Sequence, residues 1–389
     1  MMPTKHMSRF KTLAFGLIPV LALLLILEVI GRIVYPIDRE KRARIKAARD
    51  PRVQMSYLSN GVSAEAILTD IRRMECRYLP FLGWLGAPGV RLPTIETNEL
   101  GFRDRPIEPP RAGEVRIVIL GGSTVWSLGA SSNVKTVAGQ LERLLNRSGT
   151  DVTYRVMSGA FMGWTSRKEL ISLMEFRKQF AADLVLAVTG YNDIIALNTS
   201  TGLDVRPEAR MLAKAVEDNL RPMSTLRALR KVAGSLGIWR IVLHFRELSD
   251  LTSPRRGRVT YDEARAKAGV EQIVDRYATM AAYAARHGAR LMITVQPEIY
   301  TTGKRLSPEE QTVRDRFIAR TENIDAVMAQ YRADLLRGLS ALKRHSVKVV
   351  DLGGVLDAVE EPVFIDACHF NDAGYEVLAR ALLPVFMAD

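Results

Sequence analysis

The chain has 389 residues, 47% hydrophobic and 25% charged, so it can bury a large core and wholesale disorder is excluded. It carries 55 Lys and Arg against 43 Asp and Glu, a formal charge of +12. A basic surface of this kind suits anionic lipid headgroups or an anionic polymer, or it has no partner at all; nucleic acid is disfavoured, because the basic residues are not interleaved with aromatics and no binding motif is present.

In chain order, the first element is apolar. Residues 12–27 carry no charge, and the apolar character continues past Glu28 to Tyr35, enough for a spanning helix of roughly 20 residues. A cleaved signal peptide is the competing reading, but no small-x-small site follows the run. The expectation is an uncleaved anchor over 12–35 after a short cytoplasmic tail, 1–11. Lys5, Arg9 and Lys11 favour an inside amino terminus, whereas Arg39, Lys41, Arg42, Arg44, Lys46 and Arg49 pull the other way. The orientation chosen is amino terminus in and the rest of the chain outside, across the inner (cytoplasmic) membrane.

Residues 36–75 are charged and helix-prone, and 76–110 are rich in Gly, Pro and aromatics, so 36–110 is expected to be a juxtamembrane helix and a linker packed on the domain. From Val115 the pattern alternates. Short β-rich runs at Val115–Leu120, Thr153–Met157, Leu184–Thr189, Leu291–Gln296 and Val347–Leu352 are separated by amphipathic stretches. One of these places Val134, Val137, Leu141, Leu144 and Leu145 on one face; another does so with Val270, Ile273, Val274, Tyr277 and Ala281. Such alternation implies an α/β domain over 111–389, a parallel sheet covered by helices on both sides. Residues 197–260 fit no strand and are expected to form a basic helical insertion. The last helix is capped near Asn371-Asp372 and buries Val377, Leu378, Ala381, Leu382 and Val385.

Four short blocks carry chemistry. Gly121-Gly122-Ser123-Thr124 follows the first predicted strand, where two glycines permit a tight turn that brings a hydroxyl to the sheet edge. A phosphate-binding turn would instead need Gly-x-Gly-x-x-Gly or Gly-Lys-Ser/Thr, and neither is present. Gly163, in Gly163-Trp164-Thr165-Ser166, offers a backbone N–H that can approach an oxyanion; Gly159 competes for that role, and an ordinary turn suits either. Asn192, in Gly190-Tyr191-Asn192-Asp193, offers a side-chain amide at a strand end, while Asp193 suits bracing the loop or capping the next helix. His369 lies in Asp366-Ala367-Cys368-His369, where Asp366 is close enough to accept from one ring nitrogen and leave the other to take a serine proton. Two cysteines and five histidines (His6, His244, His287, His345, His369) show no metal-ligand spacing. In an oxidising compartment Cys76 and Cys368 are a candidate disulfide, against two unpaired buried thiols.

These blocks, in this order, resemble the SGNH (GDSL-like) hydrolase superfamily in its membrane-anchored bacterial form. The likeness spans roughly residues 95–389, including Thr97-Asn98-Glu99-Leu100-Gly101-Phe102-Arg103-Asp104, similar to a segment that often precedes the first strand in such proteins. The resemblance implies a three-layer flavodoxin-like SGNH hydrolase domain and ester hydrolysis without a cofactor or metal. It implies Ser123 as nucleophile, His369 as base, Asp366 as its orienter, and an oxyanion hole from the Ser123 and Gly163 N–H groups and the Asn192 amide. Gly-Gly-Ser-Thr stands where founding members have Gly-Asp-Ser, and the insertion has no counterpart. Three functions are open: a membrane-anchored serine esterase acting on acyl esters, O-acetyl groups of envelope glycans or else lipid esters; an O-acyltransferase that modifies an exported polysaccharide with the same triad; and a non-catalytic envelope scaffold, against which the four intact blocks argue. Nothing in the sequence fixes the oligomeric state.

Overall fold

The structure, a computed structural model, describes residues 5–34, 39–48, 50, 52, 61–149, 151–198, 236–237, 241, 257–258 and 260–387. The chain divides into two compact units, residues 1–45 with 209–255, and residues 46–208 with 256–389. In the first unit, helix α1 (Lys5–Val34) contains a window, Leu17–Val34, of mean hydropathy 2.5, long and apolar enough to cross a membrane. Its leucines, isoleucines and valines from Leu17 onward are largely exposed. Helix α2 (Arg39–Ala48) follows. Most of the predicted insertion, 197–260, lies outside the described residues.

The second unit begins with α3 (Ala64–Arg73), capped by the Ser63 hydroxyl on the Ala66 N–H, and a hairpin of β1 (Cys76–Leu79) and β2 (Gly83–Gly86). Leu82, Leu85, Ile95 and Phe102 from this region are fully buried among core residues, and a hairpin stands where the sequence suggests irregular structure.

The domain itself alternates. Its elements are β3 (Glu114–Gly121), α4 (Ser123–Trp126), α5 (Val137–Leu145), β4 (Thr153–Ala160), α6 (Ser166–Phe180), β5 (Leu184–Thr189), α7 (Tyr191–Asn198), β6 (Gly257–Arg258), α8 (Glu263–Arg286), β7 (Arg290–Val295), α9 (Pro308–Arg320), β8 (Thr321–Glu322), α10 (Ile324–Ser340), β9 (Lys348–Asp351) and α11 (Asp372–Met387). Five strands form one parallel sheet in the order β4-β3-β5-β7-β9. Ile117 to Leu120 and all of β5 are buried, because helices cover both faces. The two short strands β6 and β8 pair apart from it. Helix α5 packs on α11, while α6 packs on α8 and α8 on α10, giving three layers.

The chain enters at β3, steps to β4 on one side and returns to β5 on the other. That reversal is the topological switch point of the flavodoxin-like order, and ligands bind in such sheets at the carboxyl ends of the strands beside it. The register sets Gly121 against Ala160 and against Val188, so the loops after β3, β4 and β5 leave the sheet together.

Two expectations change. Val134 is 70% exposed, because the Thr136 hydroxyl accepts from the Gly139 N–H and starts α5 at Val137, leaving Val134 in a preceding 3-10 turn. Strand β4 runs on to Ala160, past the predicted end at Met157, since Ser158 and Gly159 interrupt the apolar signal but not the ladder.

Candidate active site

Strand β3 ends in two glycines that have no room for a side chain. A Cβ on Gly121 would lie 2.5 Å from Val125 Cγ2, and one on Gly122 would lie 2.2 Å from Asn192 Nδ2. The chain therefore turns directly off the strand into α4, and Ser123 is its first residue, buried to 8% exposure. The turn is clamped from outside. Thr124 Oγ1 donates to the Cys368 carbonyl at 3.1 Å, and Asp372 accepts from Ser131 N at 2.8 Å and Ser131 Oγ at 2.5 Å. Both contacts join the serine turn to the distant 366–372 segment.

That segment is closed by a bridge between Phe364 and Phe370, with Ile365 N donating to the His369 carbonyl. Inside the closure Asp366 faces His369. His369 Nδ1 lies 2.7 Å from Asp366 Oδ1 and 2.8 Å from Oδ2, and His369 Nε2 lies 2.6 Å from Ser123 Oγ. With the ring proton on Nδ1 donated to the carboxylate, Nε2 is free to accept from the serine hydroxyl. Burial raises the Asp366 carboxyl, but His369, the guanidinium of Arg52 and the Cys368 N–H outweigh it and hold the group well below the usual carboxylate range. The donor atoms of Asp366, Cys368 and His369 lie within 4.8 Å of one another. Both ring nitrogens are already committed, however, and burial pushes the Cys368 thiol up, so it is held as a thiol and not as the thiolate that binds metals. No disulfide links Cys76, exposed on β1, to the buried Cys368; the two are far apart in environment, and the bridge proposed from the cysteine count does not form.

The glycine and asparagine blocks meet the serine turn from the other side. Gly163 sits in the loop after β4 with φ of +74° and open space at its Cβ position, a left-handed conformation suited to glycine. Gly159 lies within β4, where an added Cβ would come within 2.8 Å of Leu120 and 3.0 Å of Val118. Gly159 is thus a packing glycine, and Gly163 is the one in the loop. Asn192 Nδ2 donates to the Trp164 carbonyl at 2.8 Å, tying the β4 and β5 loops together next to Gly122. Asp193 braces the same junction: it accepts from Ser166 N at 3.0 Å, Ser166 Oγ at 2.8 Å and Thr189 Oγ1 at 3.3 Å. Burial raises the Asp193 carboxyl, and these bonds only partly offset it.

Two supports escape sequence reasoning. Arg103 is fully buried, donates to the carbonyls of Thr94, Ser127 and Ala130 at 2.7, 2.6 and 2.9 Å, and lies 4.8 Å above the Trp126 ring, so it fixes the loop after α4. Burial pushes it down to about 10, which leaves it charged at neutral pH. The only signal for it was an Arg-Asp pair in an otherwise apolar, Gly-containing segment. The other support is Arg52, which has no local signal at all.

No family model and no curated protein matches the chain. Solved structures do. A GDSL-like lipase from Bacteroides thetaiotaomicron VPI-5482 is 12% identical over 72% of this chain and 92% of its own, with a TM-score of 0.38. The lipase Lip_vut3 from a goat rumen metagenome is 14% identical over 69% and 95%, with a TM-score of 0.40. The acetyl xylan esterase AlAXEase is 10% identical over 69% and 98%, with a TM-score of 0.38. Likeness at this level carries nothing about substrate, and the chemistry rests on the side chains of this chain. The four blocks, distant in sequence, gather at one edge of a parallel sheet in flavodoxin-like order.

Proposed function

We propose that the chain is a membrane-anchored serine ester hydrolase whose triad is Ser123, His369 and Asp366. The observation that carries this reading is the continuous relay, Ser123 Oγ to His369 Nε2 at 2.6 Å and His369 Nδ1 to Asp366 Oδ1 at 2.7 Å. Ser123 Oγ attacks the ester carbonyl as His369 takes its proton. The negative oxygen that develops is met by the Ser123 and Gly163 N–H groups and by the Asn192 amide, whose second N–H is not needed by Trp164. His369 then returns the proton to the leaving alcohol, and the acyl group remains on Ser123. Water, activated by the same imidazole, attacks the acyl-enzyme and restores the serine. Asp366 stays ionised throughout and stabilises the imidazolium. No cofactor takes part in these steps.

The substrate class proposed is an acyl ester, O-acetyl above all, on an envelope glycan. Helix α1 supports a site confined near a bilayer, which a freely diffusing metabolite does not require, and the charge of +12 supports an anionic polymer. The proposed location is the inner membrane, single-pass, with the domain on the outer side.

The test uses the full chain in detergent with short acetyl esters, long-chain esters and acetylated polysaccharide, with and without an acceptor sugar. Acetate release from short esters and polymer is expected, lost by several orders of magnitude in Ser123→Ala. Preference for long-chain esters would replace the glycan with a lipid ester. Transfer to the acceptor in place of hydrolysis would make the chain an O-acyltransferase.

A further inference from the structure

The carboxylate of Asp366 has a partner beyond its histidine. Oδ1 accepts from the N–H groups of Cys368 at 3.2 Å and His369 at 3.0 Å as well as from the ring. Oδ2 accepts from Arg52 Nη1 at 3.2 Å. Arg52 comes from the segment between α2 and α3, 314 positions away in the sequence. Its guanidinium does not reach over loosely. Nε and Nη2 form a two-pronged pair with the two oxygens of Asp50, each at 2.9 Å, and the Arg52 N–H donates to Asp50 Oδ1 at 3.1 Å. Asp50 is in turn held by Arg72 Nη2 of α3 at 2.9 Å. All three groups of this chain are mostly shielded, with side-chain exposures of 23% for Arg52, 8% for Asp50 and 14% for Asp366. A forked Arg–carboxylate pair has fixed geometry as well as charge, so the Nη1 edge that reaches Asp366 is aimed, not free.

We propose that Arg52 is a positioning residue for the triad: its guanidinium, aimed by Asp50 and Arg72, holds the Asp366 carboxylate in place against the His369 ring. The inference rests on the assignment of Asp366 and His369 as a catalytic pair. It extends the site beyond the four blocks to a segment adjoining α2, so that the membrane-proximal end of the chain supplies part of the active site.

The charge has a second consequence. A cation beside Asp366 favours the ionised carboxylate and opposes its protonation. Among the other groups near the pair, Cys368, Tyr191 and Tyr375 are pushed up, by burial first and by Asp366 as well, and stay neutral around pH 7. Glu298, near Cys368, is pushed up to about 7 by burial, with Arg332 opposing, and is common to all variants compared. Replacing Arg52 therefore isolates the guanidinium.

The experiment follows the pH titration of the His369 ring carbon signal in the full chain in detergent, with the signal identified by its loss in His369→Gln. It needs no turnover. In Arg52→Gln the titration of the pair is expected to move upward by about one pH unit, and in Arg52→Lys, which keeps the charge, by much less. If activity is present, the acid limb of kcat/KM moves with it and KM does not. An unmoved titration in Arg52→Gln, or an equal shift in Arg52→Lys, overturns the proposal. Asp50→Asn serves if Arg52→Gln fails to fold: it releases the fork while leaving the charge, and a fall in kcat of about tenfold is expected for a misaligned group, whereas parental kcat overturns the aiming role. A shifted titration without ester turnover would sink the hydrolase reading and leave this one; turnover with an unmoved titration would do the reverse.

Discussion

Asn192 commits one amide N–H to the Trp164 carbonyl, and its nitrogen stands where a side chain on Gly122 would have to go. Two substitutions therefore address the same oxyanion donor. Asn192→Ala is expected to lower kcat by roughly a hundredfold or more with little change in KM. Gly122→Ala, which pushes the amide aside without deleting it, is expected to lower kcat in the same manner; steady-state kinetics on a short acetyl ester checks both, and an unchanged kcat in Asn192→Ala would move the role to another group. Glu298 offers a test of a different kind. It is 1% exposed, and burial lifts its carboxyl to about 7. The folded chain thus holds a proton that the unfolded chain has released, so stability falls as pH rises from the ordinary carboxylate range through 7, by at most about 3 kcal/mol. Glu298→Gln should melt at a higher temperature than the parent at pH 8 and at the same temperature near pH 4.5. At this scale the sequence is legible where spacing is short. Asp366 and His369 are three residues apart in one turn, and Ser123 follows two glycines. Arg52 is illegible because its partner is remote and nothing periodic or motif-like surrounds it.

The strands of the sheet are legible because a parallel strand buried on both faces must be a nearly continuous apolar run, and few other elements look like that. Their ends are less so: β4 continues through Ser158 and Gly159, where the chain needs a small residue under Leu120 and Val118 rather than a hydrophobic one. Gly159→Ala is accordingly expected to destabilise the domain by about 1–3 kcal/mol, read by thermal unfolding. The failure at Val134 has a similar origin, since a cap at Thr136 overrides the helical period before it. Helices α6, α9 and α10 are less distinct in sequence because their buried faces carry polar groups with specific partners, such as Glu169, which accepts from the Tyr277 hydroxyl at 2.8 Å, and Glu310, which accepts from Val363 N and Phe364 N. The segment before β3 is built around Arg103. Arg103→Met removes the guanidinium from the buried carbonyls of Thr94, Ser127 and Ala130, leaving those of Thr94 and Ala130 short of a donor while Ser127 still accepts from the Ala130 N–H, and should cost about 3 kcal/mol, with activity lost alongside stability because Ser127 and Ala130 belong to the loop beyond Ser123.

For the whole molecule, the proposed function joins a bilayer helix to an esterase domain. The full chain is expected to remain with membranes through alkaline carbonate washing, and a chain lacking residues 1–35 to be released; release of the full chain by salt alone would mean a surface attachment instead of a spanning one. With +12 formal charges, deacetylation of an anionic polymer should weaken as salt rises from 0.05 to about 0.5 M while turnover of a neutral acetyl ester does not. Equal salt response of the two would remove the charge argument for a polymer. Composition and hydropathy made legible a helix long and apolar enough to cross a membrane. They do not reach the substrate, because acyl specificity depends on the shape of a crevice that no periodic pattern encodes, and the 197–260 segment has no such pattern to read. The central claim is that Ser123 carries the acyl group. Its most direct test is to treat the full chain with a fluorophosphonate, digest it, and map the adduct by mass spectrometry. One adduct is expected, on the peptide bearing Ser123, absent from Ser123→Ala and suppressed in His369→Gln. Labelling of any other residue, or undiminished labelling of Ser123→Ala, would contradict it.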